Sequence, residues 1–262
     1  MRIVVTVKYV PDINTERGFE DCRVVRSPAE GTLNELDENA LEAALQLVEA
    51  AGQGEVVALT VAAPDGDVAL RKAFQMGVTR GVRVSDDALA GSDYFGTAAA
   101  LAAAVRKLEE ESPVDLVITG MAALDGLGSV VPVLLAAELG RPALHLAKKL
   151  AVSGGTVTVV READDVTEEL SAPLPAVVSV TDTANRPRFP NFKLIMAART
   201  REIEAWTAAD LGLDPATVGA AGARTQTVSA APRPPRPETQ LVTDKGDGGV
   251  ALAEFLLRND LV

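Results

Sequence analysis

The chain has almost none of the residues from which protein active sites are most often built. One cysteine, Cys22, and one histidine, His145, occur among 262 residues, so neither a disulfide framework nor a Cys/His zinc site can form within the chain. His145 sits in "RPALHLAKKL" and reads as a packed or edge residue rather than a general base. Cys22, between Asp21 and Arg23, reads as an ordinary thiol rather than a nucleophile. Aromatic residues make up only 3%, so the core must be built mainly of Ala, Val and Leu. No run approaches the roughly 18 apolar residues that argue for a membrane span, so no insertion into a bilayer is expected. Basic charge is scarce too: 25 Lys and Arg face 37 Asp and Glu, a formal net charge of -12. That balance argues against general nucleic-acid binding, which needs a basic footprint to displace counterions. The opening "MRIVVTVKYVPD" shows no secretory pattern, and a cytoplasmic address is expected.

Hydrophobic residues form 47% of the chain, enough for a sizeable core. Up to about residue 120, compact apolar runs alternate with helical patterns. "RIVVTVKYV" (2–10), "GEVVALTVA" (54–62), "RGVRVSD" (80–86) and "VDLVITG" (114–120) read as strands. Between them, helices are expected over 34–51, 67–77 and 93–111. In the first, Leu41, Ala44, Leu45 and Val48 follow the i, i+3, i+4, i+7 spacing. Asn34 is its expected N-cap, Asp37 stands at N3 toward the positive helix end, and Gly77 closes the second helix. This alternation implies right-handed crossovers and a largely parallel sheet. After a helix near 128–139, the runs 156–162, 166–172 and 175–182 suggest an added antiparallel portion. Residues 184–235 read as irregular and end in "AAPRPPRPETQ", an extended proline-rich linker. A last amphipathic helix is expected over 250–262. A tail of this length is either docked on a partner or disordered.

Open parallel sheets bind ligands beyond the carboxyl ends of their strands. Three such ends stand out: "KYVPD" (8–12), "VAAPDGD" (61–67) and "GMAALDGLGSVV" (120–131). In the last, Gly120, Gly126 and Gly128 would let backbone approach a ligand, and the next helix would offer free N–H groups to a phosphate. A turn that only joins strand to helix has the same composition. The dinucleotide fingerprint is not met, because Val131 stands where its third glycine belongs, and no Walker A motif occurs. A second stretch, "NRPRFPNFKLIMAARTR" (185–201), places Phe192 near Arg186, Arg188, Lys193, Arg199 and Arg201. From spacing alone, Phe192 is either part of the protein's own core or an exposed anchor for a partner.

Four stretches carry a family resemblance: "VKYVPD", "LNELDENALEAAL", "LRKAFQMGVTRGVRV" and "PAVVSVTDTANRPRFPNFKLIMAA". Over nearly its whole length the chain resembles the β subunit of electron transfer flavoprotein, and the fourth stretch is close to that family's signature segment. The resemblance implies an α/β, Rossmann-like and mostly parallel sheet of the adenine nucleotide α-hydrolase-like kind. A small antiparallel portion and an extended C-terminal arm go with it. It implies a nucleotide-binding domain over 1–190, a partner recognition loop over 185–201, and an arm over 202–262 docking on an α subunit. The α subunit would hold most of a redox-active FAD, and this chain a structural AMP. The AMP site would comprise Thr6, Asn34, Glu35, Leu36, Asp37, Ala62, Gly120, Ala123, Asp125, Gly126, Leu127, Gly128, Ser129, Val130 and Val131. Ile13 and Leu36 would approach the flavin. Arg188, Phe189, Phe192, Lys193, Ile195 and Met196 would recognise acyl-CoA and related dehydrogenases, with Phe192 as the apolar anchor. Electrons would pass on to a quinone oxidoreductase, with no catalytic residue in this chain. Where many relatives carry a polar run, this sequence has "DGLGSVV", which leaves backbone N–H groups and the Ser129 hydroxyl as the phosphate donors. Two other readings stand beside this one: a bifurcating subunit holding a second FAD, and a stand-alone adenine-nucleotide-binding regulatory protein.

Overall fold

The computed structural model describes residues 1–15, 18–26, 30–235 and 241–262. It divides into two units, Met1–Ser229 and Ala230–Val262. Numbered along the chain, the main strands are β1 (Arg2–Thr6), β2 (Glu55–Val61), β3 (Arg80–Val84), β4 (Leu116–Gly120) and β5 (Ala143–Ala147). They continue as β6 (Lys149–Ser153), β7 (Thr156–Ala163), β8 (Val166–Pro173), β9 (Ala176–Val180) and β10 (Glu204–Trp206). Helices α1 (Glu35–Ala51), α2 (Asp67–Met76), α3 (Tyr94–Glu109), α4 (Val131–Leu139) and α5 (Phe192–Thr200) belong to the first unit. Two short ribbons, Tyr9–Pro11 with Gly31–Leu33 and Phe19–Glu20 with Arg23–Val24, stand apart from the main sheets.

Seven strands form one parallel sheet in the order β10-β3-β2-β1-β4-β9-β5. From central β1 the chain first builds outward through β2 and β3, then returns to place β4 on the other side. The order therefore reverses between β1 and β4, the switch point at which such sheets bind ligands. Alternate side chains divide the core between the two faces. Ile3 and Val5 of β1, with Leu116 and Ile118 of β4, pack with α1, α2 and Ala198 of α5. Val4 and Val117 point the other way, into the alanines of α3 and Leu135 of α4. The fold is thus a three-layer, Rossmann-like α/β arrangement, with β6, β7 and β8 as a small antiparallel sheet at one side.

Three expectations change. The run at 175–182 is not part of the antiparallel portion: Ala176–Val180 is inserted between β4 and β5, parallel to both. All five of its residues are buried, including Ser179, which accepts from Leu146 N–H at 3.0 Å, whereas β7 and β8 alternate in exposure along their length. Residues 184–235 are not uniformly irregular, because they contain α5 and the edge strand β10. The segment 192–200 is a helix rather than a loop. Asn191 starts it by accepting a 2.9 Å bond from Leu194 N–H. Residues 202–229, expected in the arm, lie within the first unit, with Ala208 and Val218 buried. β10 carries too few residues for any period to reveal it; Arg80 pins it by bonding Glu204 at 2.7 Å while also reaching Glu111.

In the second unit, Asp244 accepts from Gly246 and Gly248 N–H at the start of helix α6 (Gly248–Arg258), whose Val250, Leu252 and Leu257 are exposed. Residues 236–240 of the proline-rich linker lie outside the described residues. Among the described residues, no helix is long and apolar enough to cross a membrane.

Candidate functional site

A cavity of about 450 Å³ opens at the switch point, within the roughly 300–1,000 Å³ range of small-molecule sites. Thr6 from the end of β1, Ala62 following β2, and Gly120 at the end of β4 meet on its wall. Of the expected AMP residues, Asp37, Ala123, Asp125, Gly126, Leu127, Gly128, Ser129 and Val131 line it as well. Asn34, Glu35, Leu36 and Val130 do not. Glu35 and Val130 are exposed, whereas Leu36 is buried behind the wall. Ile13, expected near a flavin, is half exposed in the turn that follows Pro11.

The rear of the site is held by two buried polar side chains at the start of α1. Asn34 occupies the N-cap position but does not cap. Its amide instead donates to Ala122 O at 2.9 Å and accepts from Leu124 N–H at 3.0 Å, fastening the 120–131 loop to the β1–α1 junction. Asp37 accepts from Lys8 N–H at 2.8 Å and from Gly120 N–H, so one carboxyl group bridges the ends of β1 and β4. Burial pushes its pKa up to about 7, against the lowering effect of Asn34, these N–H donors and the Lys8 charge.

Both cations on the wall are already engaged. Lys8 Nζ lies 2.9 Å from Asp125, and Arg26 pairs with the same carboxylate. Burial alone would raise Asp125, but the two cations outweigh it and hold its carboxyl below the usual range. An anion entering here would therefore meet backbone donors rather than a free cation. Among the described residues, the N–H groups of Gly128, Ser129 and Val130 donate to no protein acceptor, and they lead into the N-terminus of α4. Leu127 and Ser129 have φ of 48° and 54°, an alternation that turns successive N–H groups to one side. Among the described residues, no cluster of acidic, His or Cys side chains could hold a metal ion.

Two of the glycines serve packing. A Cβ on Gly120 would stand 2.5 Å from Asp37 Oδ1, so this glycine admits the first turn of α1. A Cβ on Gly128 would stand 2.4 Å from Tyr94 Oη, so Gly128 admits a phenol ring rather than a ligand. Tyr94, with Thr97, Leu101 and Leu89, also lines the cavity, and the sequence reading passed over this wall. The signal was present: "SDDALAGSDY" follows β3 as the other three stretches follow their strands.

The second expected site lies apart from this cavity, on α5 and the turn before it. Phe189 is 92% and Phe192 78% exposed, and Met196, one turn on from Phe192, is 45% exposed. Phe192 is therefore no part of the core. Lys193 is exposed and Ile195 half-buried, while Ala198 alone is fully buried among the α5 side chains. Arg188 is not a free cation: it bonds Glu42 at 2.7 Å and Glu49 at 2.6 Å, both on α1. These two carboxylates raise its pKa further.

Fold and cavity together define a parallel α/β domain with a nucleotide-sized site at its switch point. The family model described as "Electron transfer flavoprotein domain" matches residues 21–211, and the chain belongs to the electron transfer flavoprotein family, among its β subunits. The "Electron transfer flavoprotein subunit beta" of Mycobacterium leprae (strain TN) is 38% identical over 266 residues, covering 99% of each chain. That of Mycobacterium tuberculosis (strain ATCC 25618 / H37Rv) matches to the same extent. The protein of the same name from Megasphaera elsdenii is 33% identical over 231 residues, covering 86% of this chain and 85% of its own.

Two outcomes follow from this geometry. Because Asp37 titrates higher folded than unfolded, its contribution is fullest below about pH 4 and is lost as pH rises through about 7. Urea unfolding across that window should show the wild type losing up to about 4 kcal/mol relative to Asp37→Asn; parallel pH profiles would refute this. Gly128→Ala should cost about 1–3 kcal/mol through overpacking, and Tyr94→Ala in the same chain should recover most of it. Additive losses in a double-mutant cycle would contradict that contact.

Proposed function

We propose that this chain is the β subunit of a heterodimeric electron transfer flavoprotein. It binds a structural AMP at the switch-point cavity and joins an α subunit that holds most of the FAD. The observation that carries the nucleotide reading is the pair of unengaged N–H groups of Gly128 and Ser129 on a cavity of suitable size, followed by that of Val130 just outside its lining. The residues fit the group: backbone donors and the α4 N-terminus would hold its phosphate, and Leu89 and Leu101 give an apolar wall for a base. The chain itself supplies no redox step. FAD bound in the heterodimer supplies the electron chemistry.

Docking of acyl-CoA and related dehydrogenases belongs to Phe189, Phe192 and Met196. Exposed aromatic side chains of this kind, held on a rigid element, act as hot spots when a partner buries them. Rigidity comes from both ends of the segment. Arg188 ties its start to α1, and Arg71 of α2 donates to Ala198 O and Arg201 O at the C-terminal end of α5. Lys193 and Arg199, both exposed, would steer acidic partner surfaces. From the heterodimer, electrons would continue to a quinone oxidoreductase.

Denaturing the complex with its co-expressed α subunit and quantifying released nucleotides tests the assignment. One FAD and one AMP per heterodimer is the expected content. Two FAD and no AMP would overturn it in favour of a bifurcating subunit. Phe192→Ala should leave the unfolding midpoint and FAD content unchanged while weakening the apparent affinity for an electron-donating dehydrogenase about tenfold or more. Unaltered transfer kinetics would remove Phe192 from the docking surface.

A further inference from the structure

The glycine loop provides few side-chain donors, yet helix α3 beside it provides two that no other described residue uses. Tyr94 and Thr97 are one helical turn apart on α3, and Leu101 follows one turn further on the same face; all three line the cavity. Exposure falls along this stripe, from 40% at Tyr94 through a half-buried Thr97 to 5% at Leu101. The stripe therefore runs from a polar mouth to an apolar floor, the polarity gradient of a nucleoside phosphate entered base first. Among the described residues, neither the Tyr94 phenol nor the Thr97 hydroxyl makes a hydrogen bond. Ser92 differs, since its hydroxyl donates to Leu89 O at 2.8 Å and accepts from Gly219 N–H at 3.0 Å.

The position of the phenol is fixed by the loop itself. Tyr94 Oη lies 2.4 Å from where a Cβ on Gly128 would stand and 3.7 Å from one on Gly126, so it packs on the loop whose N–H groups at 128–130 engage no described protein acceptor. An anion accepting from Gly128–Val130 would thus meet a hydroxyl donor from α3. Lys8 and Arg26 cannot take this role without leaving Asp125 buried and unpaired.

We propose that Tyr94 donates to the phosphate of the bound nucleotide and Thr97, one turn deeper, to its sugar. On this assignment α3, rather than the glycine loop, carries the side-chain selectivity for a nucleoside monophosphate. The assignment rests on the nucleotide reading of the cavity given above. It also explains why a loop short of polar side chains can keep a phosphate site: the missing donors stand on another helix.

The test uses the full chain, freed of nucleotide, with AMP and adenosine as probes in equilibrium dialysis. Tyr94→Phe keeps the ring that packs on Gly128 and removes only the hydroxyl. It should raise the dissociation constant for AMP about tenfold, the usual worth of a hydrogen bond to a charged group, and leave adenosine unchanged. Thr97→Val should weaken both probes alike. AMP affinity unchanged in Tyr94→Phe, or AMP and adenosine weakened equally by it, would overturn the phosphate assignment. Binding of neither probe by the wild-type chain would instead overturn the nucleotide reading beneath it.

Discussion

One buried carboxyl group sets the geometry on which the candidate site depends. Asp37, in the first turn of α1, receives the N–H groups of Lys8 and Gly120 and so locks together the ends of β1 and β4 where the strand order reverses. Those ends would otherwise splay around a cavity and leave backbone donors without partners. Burying an ionisable group there is costly, and the raised pKa records the cost. Glycine at 120 is a consequence, since any side chain would collide with the carboxylate. Asn34 extends the same arrangement into the 120–131 loop.

The same helix reaches the segment proposed for docking. Asn39 exchanges hydrogen bonds with Asn185, and Glu42 and Glu49 hold Arg188. Along its length α1 thus borders the cavity at one end and fixes the approach to Phe189 and Phe192 further on. Burial alone would raise Glu42, yet Arg188 and Gln46 bring its pKa below the usual value. A cation that the sequence suggests for partner contact is therefore spent inside the protein. The exposed side chains that remain combine apolar Phe189, Phe192 and Met196 with the cations Arg186, Lys193 and Arg199.

The elements most legible in the sequence were those whose signals are local. Helix α1 is legible by its apolar spacing, α2 by Gly77 at its end and α3 as a long Ala-rich run, and the first four strands by compact apolar runs. The Ala176–Val180 strand reads into the wrong sheet because proximity to two alternating strands outweighs its own Val-rich run, interrupted only by Ser179. α5 was missed because only Ala198 is buried, which leaves no apolar stripe to read. In the site, the glycine loop was found by composition, but the reasons for its glycines were not. Gly128 answers to Tyr94 and Asn34 reaches Leu124, contacts 34 and 90 residues apart in the chain, which no local window contains. Tyr94 itself follows the third strand in "SDDALAGSDY", which holds one glycine and so lacks the clustered glycines that mark the 120–131 loop.

Charge distribution completes the account. The acidic chain sets three aspartates, Asp37, Asp65 and Asp125, around the cavity against Lys8 and Arg26. Both of those cations are paired with the one Asp125 carboxylate, so an anion bound here would rest on N–H groups and helix α4 rather than on a free cation. Backbone donors bind a phosphate with defined geometry and need no desolvated cation. The most direct measurement is a crystal structure of the chain with its co-expressed α subunit, purified without added nucleotide. The account predicts density for a nucleotide in this cavity, its phosphate on the N–H groups of Gly128, Ser129 and Val130. A cavity filled only by water, or a nucleotide whose phosphate lies away from that loop, would contradict it.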